Sequence, residues 1–215
     1  LGWAGIALPE AYGGSGLGIS ALVPVVESMG RALLSTPLVS TALAAQMILR
    51  GGNTEQAERL LPDLASGTTA TLALLENADW GDTRIGCIVD ANGTLSGSKK
   101  YVMDAGTAQL FVVLVEHDGA PALALVRREQ LADGAISSHT LIDQTKRAAN
   151  IDFSGISLAD ADLICGETVA TALGDVLLLG ALLTAAEATG SAAACLDTVV
   201  EYLKTRKQFG RLIGS

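Results

Sequence analysis

The hydrophobic period of this chain changes twice, and those changes constrain its fold more than any single motif does. Over residues 1–66 apolar residues recur at helical spacing, as at Val23, Val26 and Met29 and again at Ala57, Leu60, Leu61 and Leu64. Ser20 is placed to cap a first helix running to residue 34, with Pro24 early enough to be tolerated. Thr36 and Pro37 start a second helix that Gly51 and Gly52 end, and Asn53 or Thr54 caps a third. At Gly67 the pattern breaks into short strands. Asn92-Gly93 is a hairpin turn signal, and the apolar run 110–115 is answered by 122–126 across His117, Asp118 and Gly119. With 68–75, 136–141 and 148–153 this predicts six or seven strands. Over 168–209 the helical period returns, interrupted only by Gly174, Gly180 and Gly190. The expected fold is α+β and multidomain: a helical domain (1–66), a small β-barrel or sandwich (67–167), then a long helix opening a further helical unit (168–215).

Hydrophobic residues make up 49% of the chain and charged ones 17%, which argues for a folded core and against disorder. A net charge of −9 argues against a nucleic-acid partner, since cations group only locally, at Lys99-Lys100, Arg127-Arg128, Lys146-Arg147 and within 204–211. Cys87, Cys165 and Cys195 form no spaced pair and read as reduced, mostly buried thiols of a cytoplasmic protein. His117 and His139 have no cysteine or carboxylate at ligand spacing, so no metal site is expected. The apolar run 176–186 is too short to span a bilayer and meets Glu187, so no membrane span is expected. Because it begins at Leu1 and stops at Ser215 within or just after a helical segment, the chain reads as the middle of a longer protein.

The most informative stretch is the last one. Leu196, Val199, Val200 and Leu203 form an apolar stripe that runs into Lys204, Arg206, Lys207, Gln208, Phe209 and Gly210. A planar cation, a long amide and an aromatic ring suit an anionic, flat-ringed ligand. Equally, cations in a last helical turn favour its dipole. Tyr202-x-x-x-Arg206-x-Gln208-Phe209-Gly210-x-x-Ile213 resembles the signature that opens the C-terminal helical bundle of the acyl-CoA dehydrogenases. In that family the arginine and phenylalanine reach the FAD of a neighbouring subunit. Near the start, Gly16-x-Gly18-x-x-Ala21 formally meets a dinucleotide-binding pattern, but Pro9 and a polar loop separate it from any strand. The segment from Pro9 and Glu10 through Gly13, Gly14, Gly16, Leu17 and Gly18 is similar to the family's Pro-Glu-x-x-Gly-Gly-x-Gly-Leu-Gly loop. Helical, then β, then helical is also the family order, so the resemblance covers essentially the whole chain, ending in the first helix of the bundle.

The resemblance implies FAD-dependent α,β-dehydrogenation of an acyl-CoA thioester in a homo- or hetero-oligomer, with an electron-transfer partner. The family's base lies on the bundle, beyond Ser215, so no residue here is assigned that role. The flavin face departs from the family. Its Thr-Glu-Pro-x-x-Gly-Ser-Asp segment aligns with Leu75, Glu76, Asn77, Ala78, Asp79, Trp80, Gly81 and Asp82, so a threonine hydroxyl has become an aliphatic side chain. Its Gly-x-Lys-x-Trp-Ile-Thr-Asn segment aligns with Gly97, Lys99, Tyr101, Val102, Met103 and Asp104. Tyr101 keeps a ring where the family has tryptophan, whereas Met103 cannot donate as threonine does. Tyr101, Val102 and Met103 serve either as cofactor contacts or simply as strand residues filling a core. Glu76 and Asp104 are carboxylates near the implied flavin, read as structural. The resemblance thus implies cofactor contacts at Leu75, Glu76, Tyr101, Val102, Met103, Arg206, Gln208 and Phe209, and substrate contacts at Gly81 and Asp82. Two donors lost from one face while Arg206, Gln208 and Phe209 are kept suggest a degenerate subunit that completes a partner's FAD site. The alternatives are a self-sufficient dehydrogenase, a flavin monooxygenase or acyl-CoA oxidase on the same scaffold, and a catalytically silent structural subunit.

Overall fold

Three helices open the fold in the computed structural model, which describes residues 2–79, 82 and 84–214. They are α1 (Leu22–Ala32), α2 (Leu38–Gly51) and α3 (Thr54–Ser66), preceded by short 3-10 turns. Asn53 caps α3 as expected. Its Oδ1 accepts from Gln56 N at 2.9 Å while the Gln56 side chain accepts from Asn53 N at 3.0 Å, a reciprocal box. Ser20 does not cap α1: it lies inside the 3-10 turn Ile19–Ala21, which leaves Ala21, without a side-chain acceptor, at the cap. The glycine loop joins the turns Glu10–Tyr12 and Ile19–Ala21, and among the described residues no strand precedes it to give the dinucleotide pattern its required setting.

The β region contains β1 (Ala70–Ala73), β2 (Ile88–Val89), β3 (Thr94–Ser96), β4 (Ser98–Met103), β5 (Leu110–His117), β6 (Ala120–Arg127), β7 (Ile136–Ser138), β8 (Ala148–Asp152), β9 (Ile156–Ser157) and β10 (Leu163–Ile164). Beyond the expected strands come the six-residue β4 and the two-residue β9 and β10, the last two too short to leave a period in the sequence. One sheet runs β10-β6-β5-β2-β3-β9 with β1 also on β5, and a second runs β4-β8-β7. β1 and β2 both lie parallel to β5, against Leu110 to Val113 and against Glu116 and His117 respectively. Hairpin signals in a sequence cannot reveal such parallel pairs, because their partners are not chain neighbours.

β5 is the hub of both cores. Leu110, Val112 and Leu114 pack with residues of α2 and α3, while Phe111, Val113 and Val115 join the core shared with the second sheet. Burial on both faces explains why this strand reads as a continuous apolar run. Asp118 and Gly119 (φ 51° and 75°) close the β5–β6 hairpin as a two-residue primed turn. At the Asn92-Gly93 hairpin only Gly93 has positive φ (74°). There the Asp90 carboxylate holds a longer loop by accepting from Asn92 N and Thr94 N.

The long helix α4 (Thr168–Thr205) buries one stripe, Val169, Ala172, Val176, Leu183, Ala186 and Gly190. That stripe packs on α1 and α2, and Gly30 and Gly190 bring the α1 and α4 backbones together. By length and composition α4 could cross a membrane, which corrects the reading of 176–186 as a short run; here its buried stripe rests on protein. The helix also ends at Thr205, earlier than the periodicity suggests. Phe209 and Gly210 take φ 51° and 79°, a primed turn that folds β11 (Lys207–Gln208) onto β12 (Arg211–Leu212). Ile213 N then donates to Arg206 O and Gly214 N to Leu203 O, tying the hairpin to the last turn of α4. Cys87 is buried, but Cys165 and Cys195 are exposed, contrary to the expectation of mostly buried thiols.

Candidate functional site

The chain leaves the edge of β5 between β1 and β2, and that excursion builds the first part of the site. Glu76 closes its base. Its carboxylate accepts from Gly86 N at 2.7 Å, Cys87 N at 2.9 Å and Lys99 Nζ at 2.6 Å. Lys99 is fully buried and also donates to Leu74 O at 3.2 Å. Lys100 N donates to Leu75 O at 2.7 Å, so the segment 74–76 is fastened to β4 at successive residues. Burial alone would raise the Glu76 carboxyl, but the Lys99 ammonium and the two amides outweigh it and hold the group below its ordinary value. Burial pushes the adjacent Cys87 thiol up to about 11. Glu76 thus clasps the segment after β1 to β4 and to the start of β2.

Within the excursion, Arg84 donates to Asp82 through Nε at 2.9 Å and Nη2 at 2.8 Å, and Asn77 Nδ2 adds a bond at 2.7 Å. These bonds hold the Asp82 carboxyl well below the usual carboxylate range. Both its oxygens are engaged inside the loop. Gly81, expected beside it as a substrate contact, lies outside the described residues, as does Trp80.

The second part is β4. Its side chains sort by face: Lys99 and Val102 point into the core, while Tyr101 and Met103 are each 39% exposed. Val102 is 1% exposed, so its side chain belongs to the core and only its backbone is left to meet a cofactor. Between Lys99 and Val102 the pairing with β8 shifts register, a bulge in which Tyr101 takes φ 54°. The Tyr101 ring stacks on His139 with centroids 5.0 Å apart and planes 16° from parallel. Met103 offers its carbonyl to Thr71 Oγ1 at 2.7 Å and leaves its thioether exposed. Just beyond, Asp104 accepts a short hydrogen bond from Ser40 on α2 and is raised above its ordinary value, chiefly by burial. No sequence signal marks His139 as a ring partner or Lys99 as fully buried. Only their places after β7 and on the inward face of β4 show it.

The third part is the terminal hairpin. Arg206 stands in extended conformation at the end of α4, Gln208 pairs with Arg211 across the hairpin, and Phe209 sits at its tip, 95% exposed. The structure therefore brings Leu75 and Glu76, in the segment after β1, beside Tyr101 and Met103 on β4, and places Arg206, Gln208 and Phe209 in a separate, outward-facing group on the hairpin.

Two family models match the sequence: the acyl-CoA dehydrogenase N-terminal domain over residues 1–68 and the acyl-CoA dehydrogenase C-terminal domain over 170–215. The acyl-CoA dehydrogenase IpdE2 of Mycolicibacterium smegmatis is 32% identical over 219 residues, covering 100% of this chain and 54% of the relative. Among solved structures, the Tcur3481-Tcur3483 steroid ACAD variant is similar at 33% identity and TM-score 0.78, covering 100% of this chain and 58% of that one. The ChsE4-ChsE5 complex of Mycobacterium tuberculosis is similar at 26% identity and TM-score 0.80, with 100% and 58% covered. The chain spans about half the length of the curated relatives it matches.

Proposed function

This chain belongs to the acyl-CoA dehydrogenase family, and we propose that the complete protein serves FAD-dependent α,β-dehydrogenation of an acyl-CoA thioester as a degenerate subunit, holding its own FAD weakly and completing the FAD site of a partner chain. One observation carries this reading: the two groups are built to different standards. On the hairpin, the Phe209 ring and the Arg206 side chain both stand exposed, free to enter a neighbour's site. Just after β1 and on β4, the positions that would offer hydroxyls are Leu75 and Met103, and neither side chain donates a hydrogen bond.

The residues present fit a flat cofactor by stacking. Tyr101 offers an exposed ring and Met103 a polarisable thioether beside it. When bound, FAD supplies the hydride acceptor for the carbon one further from the thioester than the carbon that loses its proton. This chain's own part is to bind and orient. Tyr101 and Met103 would face the flavin, the Glu76–Lys99 clasp keeps segment 74–76 rigid, and Asp82 shapes the loop beside the thioester through Arg84 and Asn77. Arg206, with Gln208 and Phe209, would meet the anionic and flat portions of a partner's cofactor. The similarity to structures named as a complex and as a paired steroid ACAD supports a mixed assembly.

The test is the visible absorption spectrum of the complete protein, purified alone and then with a candidate partner subunit. The reading expects a nearly colourless lone protein and half-stoichiometric flavin in the complex. One FAD per chain in the lone protein would instead establish a self-sufficient dehydrogenase.

A further inference from the structure

Tyr101 is held in an uncommon geometry, and two residues with no assigned role hold it there. A non-glycine residue at φ 54° inside a strand is strained, and such residues cluster where a side chain must be aimed. The bulge between Lys99 and Val102 frees Tyr101 from strict alternation along β4. Across the three-stranded sheet, His139 follows β7 and stays bonded to β8 through its own N–H to Ala148 O at 2.9 Å. Asn150 stands between them on β8, and its Oδ1 accepts from His139 Nε2 at 2.7 Å and from Tyr101 N at 3.4 Å. One amide oxygen thus fixes both the plane of the imidazole and the backbone of the residue stacked on it. Since that oxygen can only accept, the imidazole carries its proton on Nε2.

We infer that His139 and Asn150 are positioning residues: they brace one face of the Tyr101 ring so that its exposed remainder presents a preset platform to a flat, conjugated ring. The inference rests on the flavin reading above and deepens it. The chain's own site, short of side-chain donors at Leu75 and Met103, keeps what affinity it has through this braced ring. An unbraced tyrosine would have to be ordered at the moment of binding, whereas a braced one is ordered already. Exposure of Tyr101 is consistent with this: with His139 against it, the residue still keeps 39% of its surface open. The ligand class is a planar heteroaromatic such as an isoalloxazine, and an acyl chain or free phosphate would gain nothing from the arrangement.

The test uses the complete protein and four forms: wild type, His139→Ala, His139→Phe and Asn150→Ala. FAD is titrated in, and quenching of its fluorescence and the shift of its visible band are followed. Near-ultraviolet circular dichroism of the flavin-free forms reports the Tyr101 stack independently. His139→Ala should lose the tyrosine dichroism and weaken FAD by about fivefold with reduced quenching. His139→Phe, which keeps a ring on Tyr101, should restore most of both. Asn150→Ala should fall between them. If wild type binds and His139→Ala binds equally well, the positioning role is overturned while the flavin reading stands. Tighter binding by His139→Ala overturns it differently, showing that the imidazole occupies the slot itself. A wild type that neither quenches nor shifts FAD at any concentration removes this chain's own flavin site, and the inference with it.

Discussion

Lys99 Nζ lies 2.6 Å from Glu76 Oε1, and the lysine side chain is wholly buried. This pair joins the end of β1 to β4 and, through the Gly86 and Cys87 amides, to the start of β2. Removing one partner of a buried pair leaves the other uncompensated, so Lys99→Met and Glu76→Gln should each cost about 3 kcal/mol in urea unfolding at pH 7. The Glu76 carboxyl is depressed in the folded state. Its stabilisation is therefore complete above the unfolded carboxylate range and fades as pH falls through the folded value. Lys99→Met should flatten the acid limb of the stability profile. An unchanged acid limb would show that other carboxylates set it.

Glycines in α4 should respond to alanine with opposite signs. A Cβ at Gly190 would lie 1.8 Å from the Glu27 carbonyl oxygen, and one at Gly30 would lie 2.0 Å from the Glu187 carbonyl oxygen. Backbone atoms cannot swing aside, so Gly190→Ala must push α1 and α4 apart, at about 3 kcal/mol. Gly174 has open space around its Cβ direction. There alanine brings only its helical preference, a gain of about 0.8 kcal/mol. Thermal melts of the two variants check both signs.

How much of this was legible beforehand follows from the range of each interaction. The cap at Asn53 and the turn at Asp118-Gly119 are local, and the sequence spells both out. The parallel seats of β1 and β2 on β5, the burial of Lys99 and the stack of His139 on Tyr101 depend on residues 25 to 40 positions apart, and periodicity carries no trace of them. The end of α4 was misread for a local reason. Apolar spacing continues past Thr205, and only the positive φ of Phe209 beside Gly210 turns the chain back. At the site, Leu75 and Met103 were visible as departures because a family pattern exists to depart from. His139 and Asn150 match no pattern and needed coordinates.

Asp104 should make the fold slightly less stable at neutral pH than in mild acid. Burial raises its carboxyl, against the Ser40 hydroxyl, Lys146 and Arg147, which lower it, while Glu187 adds to the rise. A carboxyl raised in the folded state holds its proton more tightly there, so stability declines as pH rises from the unfolded aspartate range through the folded value. Asp104→Asn keeps an acceptor for Ser40 and removes the charge. It should gain stability at pH 7 and none at pH 3. A loss at pH 7 would mean that the Lys146 and Arg147 attraction outweighs burial.

Phe209→Ala separates folding from assembly. The side chain is 95% exposed at a hairpin tip, so its removal should change unfolding free energy by less than about 0.5 kcal/mol. If the ring enters a partner's cofactor site, the same variant, like Arg206→Ala, should strip flavin from the mixed complex while Tyr101→Ala leaves it in place. Flavin retained by the Phe209 and Arg206 variants would put the hairpin outside any cofactor site.

The converse experiment restores what the flavin face lacks. Leu75→Thr with Met103→Thr returns a hydroxyl to each position, and both side chains are at least partly open, so neither change leaves a cavity in the core. Two new hydrogen bonds at about 1 kcal/mol each amount to roughly 30-fold in affinity. The lone double variant should therefore purify visibly yellower than the wild type, with FAD content measured by absorbance after denaturation. If the content does not rise, the missing hydroxyls are not what weakens this face. The cause would then lie in the loop around Asp82, where Arg84 and Asn77 already occupy both carboxylate oxygens.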